Sequence, residues 1–312
     1  MIPFQLHRRI PFVRRPFFQR DRAMRERDQL MAERDALIAD RDRRVLDVFP
    51  LDIDAYFSLV QRNMFIPEPP TERVFTGGGS FRGIGCDLVR TIIKSAGLTS
   101  HSAVLDIGSG IGRVALPLTQ WLASDGEYLG IEIVTEGVAW CIENITSKYP
   151  KFRFIHADLH NDHYNPTGQS TVANFRIPGE PRRFDIAIFI SVFTHLHSHD
   201  ADAWLSHVAK AIKPGGHIFS TWFGMDDEAI QNCRVGKSSL DLAYEEDGVF
   251  WRNRERSLGA VGYAPWKMRE MFERHGLHII SSSQGTWCQR VKSDGGHQYQ
   301  DQIILSSRPP QN

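Results

Sequence analysis

The chain has 312 residues, 41% hydrophobic and 24% charged, which excludes a low-complexity chain and provides for one large core. Its 37 basic residues balance 37 acidic ones, so no global charge drives it toward nucleic acid. No apolar run approaches the roughly 20 residues that span a bilayer, no secretory apolar segment follows the first methionine, and Cys86, Cys141, Cys233 and Cys288 form no C-x-x-C pair. The expectation is a cytoplasmic chain with free thiols.

Residues 1–48 read as a basic tail and a charged helical arm. Arg8-Arg9 and Arg14-Arg15 alternate with Phe12, Phe17 and Phe18, and Pro3, Pro11 and Pro16 oppose a helix. A disordered tail is one reading, and peripheral contact with an anionic membrane surface is the other. From Glu26 a seven-residue repeat places apolar pairs at Leu30-Met31, Leu37-Ile38 and Val45-Leu46. That predicts a solvated helix with a narrow apolar stripe. Arg27, Arg34 and Arg41 spoil the other half of the seam, so any homo-oligomer formed through it is weak. Residues 49–75 read as a short helix and a prolyl link, and 76–308 as the main domain, with a tail at 309–312.

Five glycines fall between Gly77 and Gly85, interleaved with Phe81 and Arg82. One reading is a flexible linker. The other is a loop that folds over a pocket, with Gly78 at its lining and Arg82 facing a carboxylate, followed by a helix over Cys86–Ala96. The stretch Ala103-Val104-Leu105-Asp106-Ile107 reads as a buried strand. Gly108-Ser109-Gly110-Ile111-Gly112-Arg113 then turns into an apolar helical pattern. Strand, glycine turn and helix start make a ligand crevice at the carboxyl edge of a parallel sheet, with Asp106 at the strand's end.

The segment Leu-Asp-Ile-Gly-Ser-Gly-Ile-Gly resembles the first motif of the class I S-adenosylmethionine-dependent methyltransferases, an acid followed by alternating glycines. The dinucleotide pattern G-x-G-x-x-G is not met, because Val114 and Ala115 follow Gly112. The resemblance implies an α/β fold: a seven-stranded Rossmann-like sheet, mostly parallel with an antiparallel last strand, and helices on both faces. It implies S-adenosyl-L-methionine as cofactor, held around Asp106, Gly108, Ser109, Gly110, Gly112 and Arg113.

Further strands follow at the intervals a βα unit requires. Strand two ends at Glu132, about 20 residues past Gly112, the spacing at which an acid reaches ribose hydroxyls; Ile133 supplies an apolar face beside the adenine. Strand three, Phe152–His156, leads to Asp158 and Leu159. The resemblance places Asp158 at the adenine amino group. Residues 160–183 read as a long polar insertion. Strand four begins at Phe184 and ends in Ser191-Val192-Phe193-Thr194-His195-Leu196, which resembles the family's segment between the cofactor's methyl and the acceptor. Ser191 is assigned to the cofactor, and Phe193 and His195 to the acceptor. The histidines at 156, 160 and 163 and at 195, 197 and 199 are read as solvated or helix-entry residues, with no metal site.

Lys213-Pro214-Gly215-Gly216 introduces strand five, which ends at Trp222-Phe223. Residues 224–262 interrupt the pattern with a polar and aromatic insert holding Trp251 and Arg252, Arg254 and Arg256. A helix from Pro265 to His275 and an antiparallel pair at 277–283 and 302–306 close the domain, with Gly295-Gly296 in the loop between them.

His195 is the candidate general base, since an imidazole suits proton removal near neutral pH; packing or capping is its structural alternative. Trp222, Trp251, Tyr263 and Trp266 are candidates to stack on a sugar or aromatic ring, with core packing as the alternative for each. The expected activity is methyl transfer to a hydroxyl of a small molecule or glycan. A non-catalytic cofactor-binding scaffold that recruits partners through its arm, a protein methyltransferase and a NAD-linked reductase are the other readings.

Overall fold

The computed structural model describes residues 29, 52–63, 66–255, 258–291 and 298–308. The basic tail, the heptad arm apart from the helical Gln29, Arg256 and Gly295-Gly296 lie outside the described residues. By contacts the chain divides into residues 1–51 with 123–125, and residues 52–122 with 126–312. The second unit carries the fold.

It opens with α1 (Ile53–Arg62), capped by the Asp52 carboxylate, which accepts from the Asp54 and Ala55 N–H groups. Next comes α2 (Phe81–Ala96), capped by Ser80 and terminated by left-handed Gly97. This helix starts five residues before the expected Cys86, because Ser80 supplies an N-cap that the surrounding glycines conceal. Gly85 lies within it and against the glycine turn: a Cβ there would sit 2.2 Å from the Arg113 carbonyl oxygen.

Then follow β1 (Ala103–Ile107), α3 (Ala115–Trp121), β2 (Glu127–Glu132), α4 (Thr135–Cys141, continued by a π turn over Ile142–Thr146), β3 (Phe152–His156) and β4 (Phe184–Phe189). The chain continues through α5 (Ser198–Ala211) and β5 (Ile212–Trp222). The insert holds α6 (Asp227–Arg234) and the strands β6 (Tyr244–Glu246), β7 (Val249–Trp251) and β8 (Val261–Tyr263), the last just beyond its expected end. Finally come α7 (Pro265–Arg274), β9 (His278–Ser283) and β10 (Asp301–Ser306).

The main sheet has the order β3-β2-β1-β4-β5-β10-β9. Its strands run parallel except β10, which is antiparallel to both neighbours. The apolar runs follow from burial on both faces. Alternate residues feed two cores: Val104, Ile186, Ile188 and Phe219 join Phe57, Val89 and Ile92 from the helices on one side. Leu105, Ala187, Phe189 and Ile218 join Trp204, Leu205 and Phe272 on the other. A third core, around Phe223, Met225, Phe250 and Trp287, sits under the insert, whose strands pair as β6-β7-β8. The sheet order reverses beside β1, with β2 on one flank and β4 on the other, and ligands of open α/β sheets bind at such a switch point.

Candidate active site

A cavity of about 710 Å³ opens at the carboxyl edge of this switch point. Gly108 (φ +71°) and Gly110 (φ +57°) form its floor in left-handed conformations. A Cβ on Gly108 would lie 2.5 Å from Val192 Cγ2, and one on Gly110 2.4 Å from Thr76 Cγ2. Four of the turn's N–H donors are already spent. Gly108 and Ser109 N–H donate to the Ile131 carbonyl (2.8 and 3.2 Å), Gly110 N–H to Glu132 Oε2 (2.6 Å) and Gly112 N–H to the Ser109 carbonyl (3.1 Å). A phosphate cradle needs such N–H groups free; this turn offers space instead. Gly112 serves packing, because its Cβ would meet Ile145 and Cys141 in the core.

Two buried carboxylates face that space. Asp106 accepts the Tyr128 hydroxyl at 2.5 Å, and burial pushes its carboxyl up to about 7. Glu132 accepts Ile133 and Val134 N–H on Oε1 and Gly110 N–H on Oε2. Burial raises it as well, while those backbone bonds oppose the rise. Three bonds leave one of the carboxylate's roughly four acceptor positions open, on Oε2. Ser109 Oγ and Thr76 Oγ1 are buried without a hydrogen-bond partner among the described residues. Arg113 lines the cavity and donates to the Gly77 carbonyl (2.6 Å), tying the Thr76–Gly79 loop to the turn. Gly77 and Gly78 line the cavity with it.

On the other flank, His195 Nδ1 lies 2.8 Å from the Leu258 carbonyl. That bond requires the proton on Nδ1 and leaves Nε2 as the basic nitrogen. Burial lowers its pKa, the Leu258 bond opposes the drop, and the neighbouring His163 lowers it further. Its ring stacks on His163 and meets Tyr164 edge-on. Asn161 fixes this corner: its Nδ2 donates to the His195 carbonyl, and its Oδ1 accepts from His163 and Tyr164 N–H.

The family described as "Methyltransferase domain" matches residues 82–282, more than half of the chain. The chain belongs to the class I S-adenosylmethionine-dependent methyltransferases. It is 26% identical over 194 residues to an arsenite methyltransferase of Aquipseudomonas alcaligenes, covering 61% of this chain and 51% of that protein. The chain thus spans about half the length of the curated relative it matches. Among solved structures, it resembles the PH0226 protein of Pyrococcus horikoshii OT3 at a TM-score of 0.51 and 14% identity, covering 76% of this chain and 95% of that one. It also resembles a magnesium protoporphyrin IX methyltransferase from Synechocystis PCC 6803 solved with S-adenosylhomocysteine, at a TM-score of 0.47 and 14% identity, covering 75% and 91%.

S-adenosylmethionine is the cofactor of this methyltransferase, and the cavity suits it. A cationic, phosphate-free nucleoside matches two desolvated carboxylates, an orphaned Ser109 hydroxyl and a floor that admits no Cβ. Ile133, Leu159 and Ser191 line the same cavity.

Several expected site residues lie elsewhere. Asp158 is exposed and outside the lining, because the chain turns after β3 and sends Leu159 inward instead. Arg82 is buried in α2 and spent on the Asn63 carbonyl (2.5 Å), the Ile66 carbonyl (2.9 Å) and the Glu68 carboxylate (2.8 Å). It fastens the segment before the helix and faces no ligand. Phe193 stacks on Trp222 at 4.1 Å inside the core. Trp222 Nε1 donates to Ser220 Oγ, and Tyr263 Oη donates to the Leu196 carbonyl. Trp251 is packed in the same core, so none of these four aromatics lines the cavity. Trp266 is exposed, away from the cavity.

Thr76, Asn161, Tyr164, Thr221 and Gln300 are lining residues that no motif announces. Among the described residues, no group of three His, Cys, Asp or Glu side chains gathers to hold a metal, and no helix is long and apolar enough to cross a membrane.

Proposed function

We propose that this methyltransferase transfers the methyl group to a hydroxyl of a small molecule or glycan, with His195 as the general base. The observation that carries the reading is the Nδ1 bond from His195 to Leu258 on the cavity wall. It fixes the tautomer that can take a proton on Nε2, and burial keeps the ring neutral at pH 7.

S-adenosylmethionine supplies an electrophilic methyl on a sulfonium. The chain's own share is positioning and proton removal. Glu132 holds a ribose hydroxyl through its remaining Oε2 position, and Ile133 and Leu159 flank the adenine. Gly108 and Gly110 admit the amino-acid tail, near Ser109 and Arg113. Asp106 offsets cationic charge beside the turn. The acceptor enters between His195, Tyr164 and the end of β5, where its hydroxyl proton passes to His195 Nε2.

Arsenite, the acceptor named for the curated relative, is a soft acceptor that favours thiolates. The four cysteines here are buried in the cores, and none lines the cavity. Burial raises Cys86 to about 11 and Cys288 to about 12. A hydroxylated organic acceptor suits this wall better.

The test is methyl transfer from radiolabelled S-adenosylmethionine to matched phenols, sugars, amines and thiols. Label in hydroxyl compounds alone supports the reading. Transfer to amines or thiols with none to hydroxyls rejects it, and cofactor binding without any transfer favours a scaffold.

A further inference from the structure

Ser191 lies two residues beyond β4 and has a φ of +58°, a left-handed conformation that is uncommon for a non-glycine residue. Two bonds hold it there. Its N–H donates to Thr221 Oγ1 at 2.8 Å, and its Oγ donates to Gln300 Oε1 at 3.0 Å. Thr221 Oγ1, having accepted that N–H, donates its own O–H to the same Gln300 Oε1 at 2.6 Å.

Two hydroxyl donors therefore fill both lone pairs of the Gln300 carbonyl oxygen, and the Nε2 end of the carboxamide is turned away from them. The Nε2 end carries two N–H donors and meets no acceptor among the described residues. Ser191, Thr221 and Gln300 all line the cavity.

Gln300 precedes β10, which pairs with β5, and three strand spacings separate β10 from β1. That places Gln300 roughly 14 Å from Asp106 along the sheet edge. It stands on the side of β4 away from the carboxylates assigned to the cofactor, where the acceptor enters.

The geometry points to Gln300 as the residue that selects the acceptor: its Nε2 donates to a carbonyl or ionised oxygen carried by the molecule being methylated. The preferred substrate class is then an aromatic or ring hydroxyl compound bearing a carbonyl or carboxylate, seated against Tyr164 and Phe223. This rests on the hydroxyl-acceptor reading and adds to it a second recognition point. An acceptor that leaves Nε2 unpaired strands a desolvated donor, and that penalty is the source of selectivity.

The experiment measures, by calorimetry, binding of matched pairs to the full chain saturated with S-adenosylhomocysteine. The probes are 4-hydroxybenzaldehyde against 4-cresol, and 2'-hydroxyacetophenone against 2-ethylphenol. The carbonyl member of each pair should bind about tenfold tighter. Gln300→Glu keeps acceptors for both hydroxyls, and so keeps Ser191 in place, but removes the donors. It should erase or invert the preference with S-adenosylhomocysteine affinity unchanged. Gln300→Leu should erase it too. Equal binding within the pairs, strong or undetectable, overturns the inference, as does a preference that survives in Gln300→Glu. The hydroxyl-acceptor reading fails separately, in the transfer assay.

Discussion

Tyr128 on β2 reaches across to β1 and donates its hydroxyl to Asp106 Oδ2 at 2.5 Å, both residues being almost wholly buried. The bond favours the ionised carboxylate, but desolvation outweighs it and holds Asp106 at about 7. A raised carboxyl means that the folded chain without cofactor binds more protons than the unfolded chain between about pH 4 and 7. The stability contributed by this group therefore falls as pH rises through that window and levels off above it. Glu132, also raised by burial, acts in the same direction. Thermal melts across pH 4 to 8 should show Asp106→Asn with a shallower decline than the wild type. Parallel curves would contradict the assignment.

The proposed placement of Asp106 beside the cofactor's cation predicts a second pH effect. A cation beside Asp106 favours its ionised form, so S-adenosylmethionine binding should release protons near pH 7 and tighten as pH rises through it. Tyr128→Phe removes the bond that favours ionisation and should move this midpoint upward. Calorimetry in buffers of different ionisation enthalpy reads the proton count directly, and zero release at pH 7 would refute the coupling.

Arg82 should matter for stability and not for ligands. Arg82→Ala breaks its bonds to two backbone carbonyls and Glu68 in a buried setting, which predicts a loss of about 2–3 kcal/mol in denaturant unfolding. Affinity for S-adenosylhomocysteine should stay within about twofold. A large affinity loss in protein that is still folded would return Arg82 to the cavity.

Arg82 also shows where sequence reading stops. The apolar run Ile186–Phe189 and the apolar residues Val104, Leu105 and Ile107, buried on both faces, disclose a parallel sheet, and the glycine turn discloses its switch point. The strand-end acids Asp106 and Glu132 are legible because pairing in a parallel sheet fixes where each strand stops. Asp158 lies two residues beyond β3, where a bridge of Leu159 to Ser170, which the sequence does not announce, sends Leu159 inward and leaves Asp158 facing outward. Phe193, Trp222 and Tyr263 look like a stacking surface in composition, yet which face a ring occupies depends on packing that composition does not encode. The three-residue strands of the insert are too short to display a period. Gln300 sits among polar residues with no pattern, and only pairing with β5 brings it beside Thr221.

The glycine floor gives a separate check. Gly108→Ala places a methyl 2.5 Å from Val192 Cγ2 on a backbone at φ +71°. The strain costs about 1–2 kcal/mol of stability, and the new methyl narrows the space proposed for the cofactor's amino-acid tail. Cofactor affinity should fall at least tenfold, while Gly78→Ala, which meets nothing within 4 Å, should leave it nearly unchanged. Equal affinities for the two variants would remove the floor from the binding site.

The base role proposed for His195 predicts a pH signature. Catalysis by its Nε2 needs the neutral ring, and burial lowers its pKa below the ordinary 6.5. Turnover should therefore rise with pH along an acid limb whose midpoint lies below 6.5, and level off above it. His195→Gln can still bond the Leu258 carbonyl but cannot take a proton. It should lower kcat by about 10²–10⁴-fold, abolish that limb and leave S-adenosylmethionine affinity in place. An acceptor whose hydroxyl is already ionised at the assay pH needs no base, so the loss should shrink as acceptor pKa falls. Measuring kcat for wild type and His195→Gln over a series of phenols of graded pKa separates proton removal from packing. A base gives a loss that tracks acceptor pKa, whereas a purely structural histidine gives the same loss for every phenol.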